Sequence, residues 1–213
     1  MHKSLADRIE ECGVVSIIRG TDPAKIIPTV QAVYDGGIRA VEITMNTEGA
    51  FEMIKAARKE FSGRMLIGAG TVLDEQAARM SIAAGCDFLL SPTLDAGVIR
   101  LANAYSVLAI PGVMTPTEAL EGWKAGAGFI KIFPAGVLGP GYIKAVKGPL
   151  PQLRLMPVGG VNLENAGEFI RCGADALGIG GELVNKKRVE AGAFEEIRSL
   201  AAAYLEAVQK ARA

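Results

Sequence analysis

Histidine is almost absent from this 213-residue chain: His2 is the only one, next to the first residue. Histidine-based proton relays and the usual zinc constellations are therefore out of reach. Cysteine is nearly as scarce. Cys12, Cys86 and Cys172 are odd in number, far apart and in no Cys-x-x-Cys pair, which reads as reduced packing residues of a cytoplasmic protein. No charge of one sign dominates, with 23 lysines and arginines against 23 aspartates and glutamates. That balance, without charged blocks or aromatic-basic patches, gives no field to draw nucleic acid or an anionic membrane. No uncharged run approaches the roughly 20 residues of a membrane helix, and the charged opening segment lacks the apolar stretch of a signal peptide. What remains for chemistry is carboxylates, lysine, arginine, hydroxyls and backbone amides.

The chain repeats a short strand and then an amphipathic helix. Expected strands are Val14–Arg19, Ala40–Thr44, Met65–Ala69, Asp87–Ser91, Val107–Pro111, Phe129–Phe133, Leu153–Val158 and Ala176–Ile179. Helical stretches are expected near Pro23–Asp35, Glu48–Glu60, Asp74–Ala84, Asp95–Tyr105, Thr117–Lys124, Tyr142–Lys147, Leu163–Cys172 and from Gly181 onward. Such alternation implies parallel strands with helical crossovers. The expectation is one (β/α)8 TIM barrel domain over residues 1–213, with an extra helix at Lys3–Cys12 before it and Phe194–Arg212 closing it. An open doubly wound sheet is disfavoured: the Gly-x-Gly-x-x-Gly fingerprint is missing after the first strand, and Gly68-Ala69-Gly70-Thr71 lacks its remaining spacing.

Lys131 stands at the centre of the apolar run Gly128-Phe129-Ile130-Lys131-Ile132-Phe133-Pro134. Lysine is rarely buried unless something pairs or uses it. Desolvation favours the neutral amine, which attacks a carbonyl and forms a Schiff base. The competing reading is a strand-end lysine whose stem packs while its ammonium reaches water.

Alternation along the other strands tests this, because active sites of such barrels lie at the C-terminal ends of the strands. Val15, Ile17 and Arg19 share a face, which puts a guanidinium at the upper end of the first strand. Glu42 and Thr44 share a face of the second, and Thr71 follows the third. Arginine, carboxylate, hydroxyl and lysine thus converge on one mouth. Two glycine clusters, Val158-Gly159-Gly160-Val161-Asn162 and Gly178-Ile179-Gly180-Gly181-Glu182, follow the last two strands, where barrels commonly bind phosphate on exposed amides and a helix N-terminus. Tight turns would need the same glycines, and the Glu182 carboxylate would compete with an anion.

Taken together, Val41-Glu42-Ile43-Thr44, Ile67-Gly68-Ala69-Gly70-Thr71-Val72-Leu73, Ser91-Pro92, Ile110-Pro111-Gly112-Val113-Met114-Thr115-Pro116, Lys131-Ile132-Phe133-Pro134 and Pro157-Val158-Gly159-Gly160-Val161 resemble the 2-keto-3-deoxy-6-phosphogluconate (KDPG) and 4-hydroxy-2-oxoglutarate (KHG) aldolase family. The likeness runs in order from about Val14 to Val184. It implies a metal-independent class I aldolase that needs no cofactor, is built as a (β/α)8 barrel and assembles as a homotrimer. It also implies that Lys131 forms the Schiff base and that Glu42 moves protons. Thr71 would hold the keto-acid carboxylate, Pro92 and Phe133 would line the pyruvate pocket, and Gly159, Gly160, Gly180 and Gly181 would take a phosphate. The leading substrate under this resemblance is KDPG, split to pyruvate and glyceraldehyde 3-phosphate. The galactonate isomer, 4-hydroxy-2-oxoglutarate and unphosphorylated acids are the alternatives.

Two departures bear on substrate. Where the phosphogluconate enzymes often carry Thr-x-Arg-Thr after the glutamate, this chain has Thr44-Met45-Asn46-Thr47; Arg19 resembles an arginine that phosphogalactonate aldolases carry on the first strand. Glu182 falls where many relatives present a small polar residue. A sugar-phosphate epimerase using Glu42 and Lys131 without a covalent intermediate, and a binding barrel without turnover, are the rival readings.

Overall fold

The computed structural model describes residues 3–213, so His2 lies outside the described residues. Nine strand segments, all but β5 and β6 separated by helices, make up the sheets: β1 (Val14–Ile18), β2 (Ala40–Thr44), β3 (Leu66–Gly70), β4 (Phe88–Leu90), β5 (Leu108–Ile110), β6 (Gly112–Val113), β7 (Ile130–Ile132), β8 (Leu155–Pro157) and β9 (Leu177–Ile179). They form two parallel sheets, one of six strands in the order β5-β4-β3-β2-β1-β9 and one of three in the order β6-β7-β8.

Eight expected strands thus become nine segments in two sheets, and Pro111 is the reason. Proline has no N–H to give a ladder. Before it, β5 pairs with β4; after it, β6 pairs with β7, and the Pro111 carbonyl accepts from the Lys131 N–H at 2.9 Å. At the other seam Val158 bridges Gly178, and the Asp175 N–H donates to the Leu155 carbonyl at 2.9 Å. The strands also stop early, leaving Arg19, Ser91 and Phe133 in the loops beyond them.

The opening helix is Leu5–Cys12, begun by a capping box in which Ser4 and Asp7 satisfy each other's backbone N–H groups. The closing helix runs Phe194–Arg212 as expected. No helix starts at Gly181. Leu183 and Val184 both donate to the Gly180 carbonyl in a turn, and a five-residue helix, Lys186–Glu190, begins only after Asn185 caps the Arg188 N–H.

Two apolar layers fill the molecule. Val41 and Ile43 of β2 join the outer layer between strands and helices. Ile17, Phe88, Ile110 and Met156 join the inner layer, which Ala6 and Ile9 of the opening helix close at the N-terminal ends of the strands. Each large side chain buried there contributes about 1.5–3 kcal/mol. Room for Phe88 comes from Gly68 on β3: any Cβ at that position would overlap the ring.

Candidate active site

Strand alternation turns Glu42 inward from the middle of β2, level with Ile17 on β1 and Gly68 on β3. From the opposite side β7 sends in Lys131, held between Gly112 and Met156. Gly112 has its own reason: a side chain there would come within 2.5 Å of the Pro92 backbone, so glycine lets the loop after β4 close over the site. All ten residues predicted from sequence line one cavity of about 400 Å³: Arg19, Glu42, Thr71, Pro92, Lys131, Phe133, Gly159, Gly160, Gly180 and Gly181. Two wider clefts, of about 930 and 680 Å³, are lined by residues such as Asp7, Arg154 and Arg212 in one, and Asp22, Lys25 and Glu190 in the other. Neither contains a buried titratable pair like that of the smaller cavity.

The floor of this cavity is deeply buried. Glu42 is 1% exposed and Lys131 6%. Glu42 Oε2 has no hydrogen-bond partner among the described residues. Burial raises the Glu42 carboxyl to about 7, against the opposing pull of Lys131 and then Arg19. Burial likewise lowers the Lys131 amine to about 8, with Glu42 resisting and Arg19 assisting. The amine stands 4.6 Å over the Phe133 ring. An amine and a carboxyl, both poised near neutrality, therefore share one desolvated space, the condition a nucleophile and a proton carrier would need. The burial of Lys131 favours the first reading over that of a lysine whose ammonium reaches water.

The rim is more exposed. Arg19 donates to Asn46 Oδ1 at 3.2 Å and to Thr71 Oγ1 at 3.4 Å. Thr71 has a φ of 58°, a left-handed conformation that costs a β-branched residue on the order of 1–3 kcal/mol and often marks a functional site. Asn46, which stands where the gluconate-type segment would carry arginine, thus orients the arginine of the opposite wall.

The two glycine clusters differ. Gly159 and Gly160 both have φ of 81°, so their turn requires glycine with or without a ligand. Gly180 and Gly181 do not, and a Cβ on Gly181 would meet nothing within 4 Å. Among the described residues no backbone carbonyl takes the N–H groups of Gly160, Val161, Gly181 or Glu182. Asn165, Asn185 and Arg188 instead hold the carbonyls: Asn165 Nδ2 donates to Gly160 at 2.9 Å, Asn185 Nδ2 to Gly181 at 3.3 Å, and Arg188 to Glu182 at 3.1 Å. Sequence reasoning missed these three, although asparagines a few residues beyond a glycine pair are a recognisable signal of side-chain-to-backbone turns.

No helix among the described residues is long and apolar enough to cross a membrane. Nor does any group of three or more His, Cys, Asp or Glu side chains among them suit a metal ion.

The chain's relatives fit this geometry. A family model described as KDPG and KHG aldolase matches residues 5–200. The 2-dehydro-3-deoxy-6-phosphogalactonate aldolase of Escherichia coli K12 is 36% identical over 92% of this chain and 96% of its own length. The KHG/KDPG aldolase of the same organism is 34% identical over 93% and 94%. The solved KDPG aldolase of Legionella pneumophila, with pyruvate captured as a covalent carbinolamine intermediate, superposes with a TM-score of 0.87 at 27% identity, covering 94% of this chain and 98% of that one.

Proposed function

Because this chain belongs to the KDPG and KHG aldolase family, we propose that it cleaves a 2-keto-3-deoxy-6-phospho sugar acid through a Schiff base on Lys131, preferring the galactonate isomer. Membership makes it a class I pyruvate aldolase, a carbon–carbon lyase acting on small keto acids and aldehydes. The observation that carries the residue roles is the buried Lys131–Glu42 pair at the floor of the cavity.

Neutral Lys131 attacks the C2 carbonyl, and loss of water leaves an iminium ion. Glu42 as carboxylate takes the C4 hydroxyl proton. The C3–C4 bond breaks, its electron pair passes to the iminium, and an aldehyde departs from the enamine of pyruvate. With a 6-phosphorylated substrate that aldehyde is glyceraldehyde 3-phosphate. Protonated Glu42 returns its proton to C3, and water hydrolyses the resulting iminium to pyruvate and free lysine. Arg19 and Thr71 hold the keto-acid carboxylate, while Pro92 and Phe133 enclose the methyl end. The amides around Gly159, Gly160, Gly180 and Gly181 receive the phosphate. No metal or cofactor enters this scheme.

The galactonate preference is supported by Arg19, which resembles an arginine that phosphogalactonate aldolases carry on the first strand and is held here by Asn46, and by the 36% identity to one of them. The same proposal takes the two sheets as one closed (β/α)8 barrel in a single domain spanning 1–213. Chain continuity through Pro111 and the Val158–Gly178 bridge support that closure. A homotrimer belongs to it as well, supported by the resemblance, and so does a cytoplasmic setting, which three unpaired cysteines suit.

The test is to mix the protein with pyruvate and borohydride, map the adduct, and then compare epimeric substrates. A reduced pyruvyl group on Lys131, absent from Lys131→Ala, is expected, with kcat/KM highest for the phosphogalactonate. Folded protein that traps nothing overturns the covalent mechanism, and equal rates for the two epimers overturn the substrate preference alone.

A further inference from the structure

We infer that Gly70 is a positioning residue: the side chain missing from the end of β3 is the space in which the carboxyl group of Glu42 lies. The backbone does not ask for glycine there. Gly70 has no positive φ and sits in register between Thr44 and Leu90, with its carbonyl accepting from the Met45 N–H at 2.7 Å. Any other residue suited to a strand would adopt this conformation. A Cβ, however, would overlap Oε2 and the carboxyl carbon of Glu42 and come within 2.8 Å of Oε1, and these three atoms are its nearest neighbours.

Two residues earlier on the same face, Gly68 yields its space to the Phe88 ring. The lower glycine therefore admits an apolar floor, and the upper one admits the carboxyl above it. Among the described residues no hydrogen bond holds Oε2 in this recess, so the space left by Gly70 is what receives that oxygen.

Alanine at position 70 cannot be absorbed by the backbone, which is paired along both edges. The carboxyl must move out into the cavity. The charged groups awaiting it are Lys131 from β7, Arg19 from the loop after β1 and Glu182 from the loop after β9; β3 and β4 contribute none. Out of the buried recess, facing two cations and one carboxylate, the Glu42 carboxylate holds its charge to lower pH and helps Lys131 hold its own to higher pH. This inference rests on the proton-carrying role proposed for Glu42.

The experiment measures kcat/KM across pH for the wild type and Gly70→Ala, and traps pyruvate on both. It also compares thermal unfolding of Gly70→Ala in the wild-type and Glu42→Ala backgrounds. The variant should keep the Lys131 adduct while kcat falls by about a hundredfold, the scale on which a displacement near 1 Å disables a positioned group. The acid limb of its pH profile should move down and the alkaline limb up. Gly70→Ala should lower Tm when Glu42 is present and leave it nearly unchanged in Glu42→Ala, because the colliding group is gone. Where Gly70→Ala alone does not fold, the double variant should. Equal losses of Tm in both backgrounds, or a folded Gly70→Ala with the wild-type kcat and pH profile, would overturn Gly70's role. Wild-type turnover by Glu42→Ala alone is a different failure, which removes the proton role on which the inference rests.

Discussion

At the floor of the cavity Glu42 and Lys131 are buried, whereas at the rim Arg19, Gly160 and Gly181 are exposed. Both regions are built at strand ends, but they do different physical work. The floor uses desolvation: an apolar bed of Phe88, Ile110 and Met156 lies beneath two ionisable groups and moves both toward neutrality. The rim uses geometry: Asn46 aims Arg19, and Asn165, Asn185 and Arg188 hold carbonyls so that amides stay open. Changes at the floor should therefore act on the chemical step, and changes at the rim on which substrate binds and how tightly.

The largest effect expected is at Glu42. Glu42→Gln keeps the shape of the side chain but cannot carry the proton, so kcat should fall by roughly 10²–10⁴-fold while pyruvate still forms its adduct. The same variant checks the desolvation directly. Native Glu42 binds its proton up to about 7, against 4.5 for an unperturbed carboxyl, so its contribution to stability is fully present below about 4.5 and is lost as pH rises through about 7. A shift of that size corresponds to on the order of 3 kcal/mol. Chemical unfolding at a series of pH values should show a decline across this window that Glu42→Gln flattens. A wild-type slope that the variant retains would mean that another group causes it.

Arg19→Met comes next and separates rim from floor. It removes the charge proposed to face the substrate carboxylate while leaving a long apolar side chain. KM for the keto acid should rise by roughly 10- to 100-fold, the loss expected when a charge-assisted hydrogen bond worth roughly 1.5–3 kcal/mol is broken. Steady-state kinetics should show kcat changed far less than KM, and the epimer preference should narrow. A fall in kcat with KM unchanged would place Arg19 in the chemistry of the floor.

How much of this was legible beforehand follows the same division. Strand alternation and the direction of the βα units were enough to bring Arg19, Glu42, Thr71 and Lys131 to one mouth, because period two fixes which face a side chain takes. An apolar run that ends on Pro111 reads as one strand, and nothing in it shows that the chain is handed to another neighbour past the proline and pairs again at Gly112 and Val113. The helix expected at Gly181 failed through local hydrogen bonding: two N–H groups converge on the Gly180 carbonyl and delay the helix to Lys186. Gly70 could not be read in advance either. Its meaning lies in a carboxyl group arriving from the neighbouring strand, a contact that no spacing along β3 reveals.

The smallest effects should sharpen the contrast between the two glycine clusters. Gly160→Ala forces a side chain onto a φ of 81° and to within 2.7 Å of the Gly136 backbone. The conformation alone should remove roughly 1–2 kcal/mol of stability. Gly181→Ala adds a methyl group where nothing lies within 4 Å and the backbone is already ordinary. Its stability should be unchanged or higher by about 0.4–1 kcal/mol, since alanine restricts the unfolded chain more than glycine does. If the open space at Gly181 receives a phosphate, Gly181→Ala should still raise KM for the phosphorylated acid and leave KM for its dephosphorylated counterpart alone. Thermal unfolding read beside the two KM values separates a glycine required by the turn from one left open for the ligand. A Gly181→Ala protein that loses stability and treats both acids alike would assign both clusters to the fold.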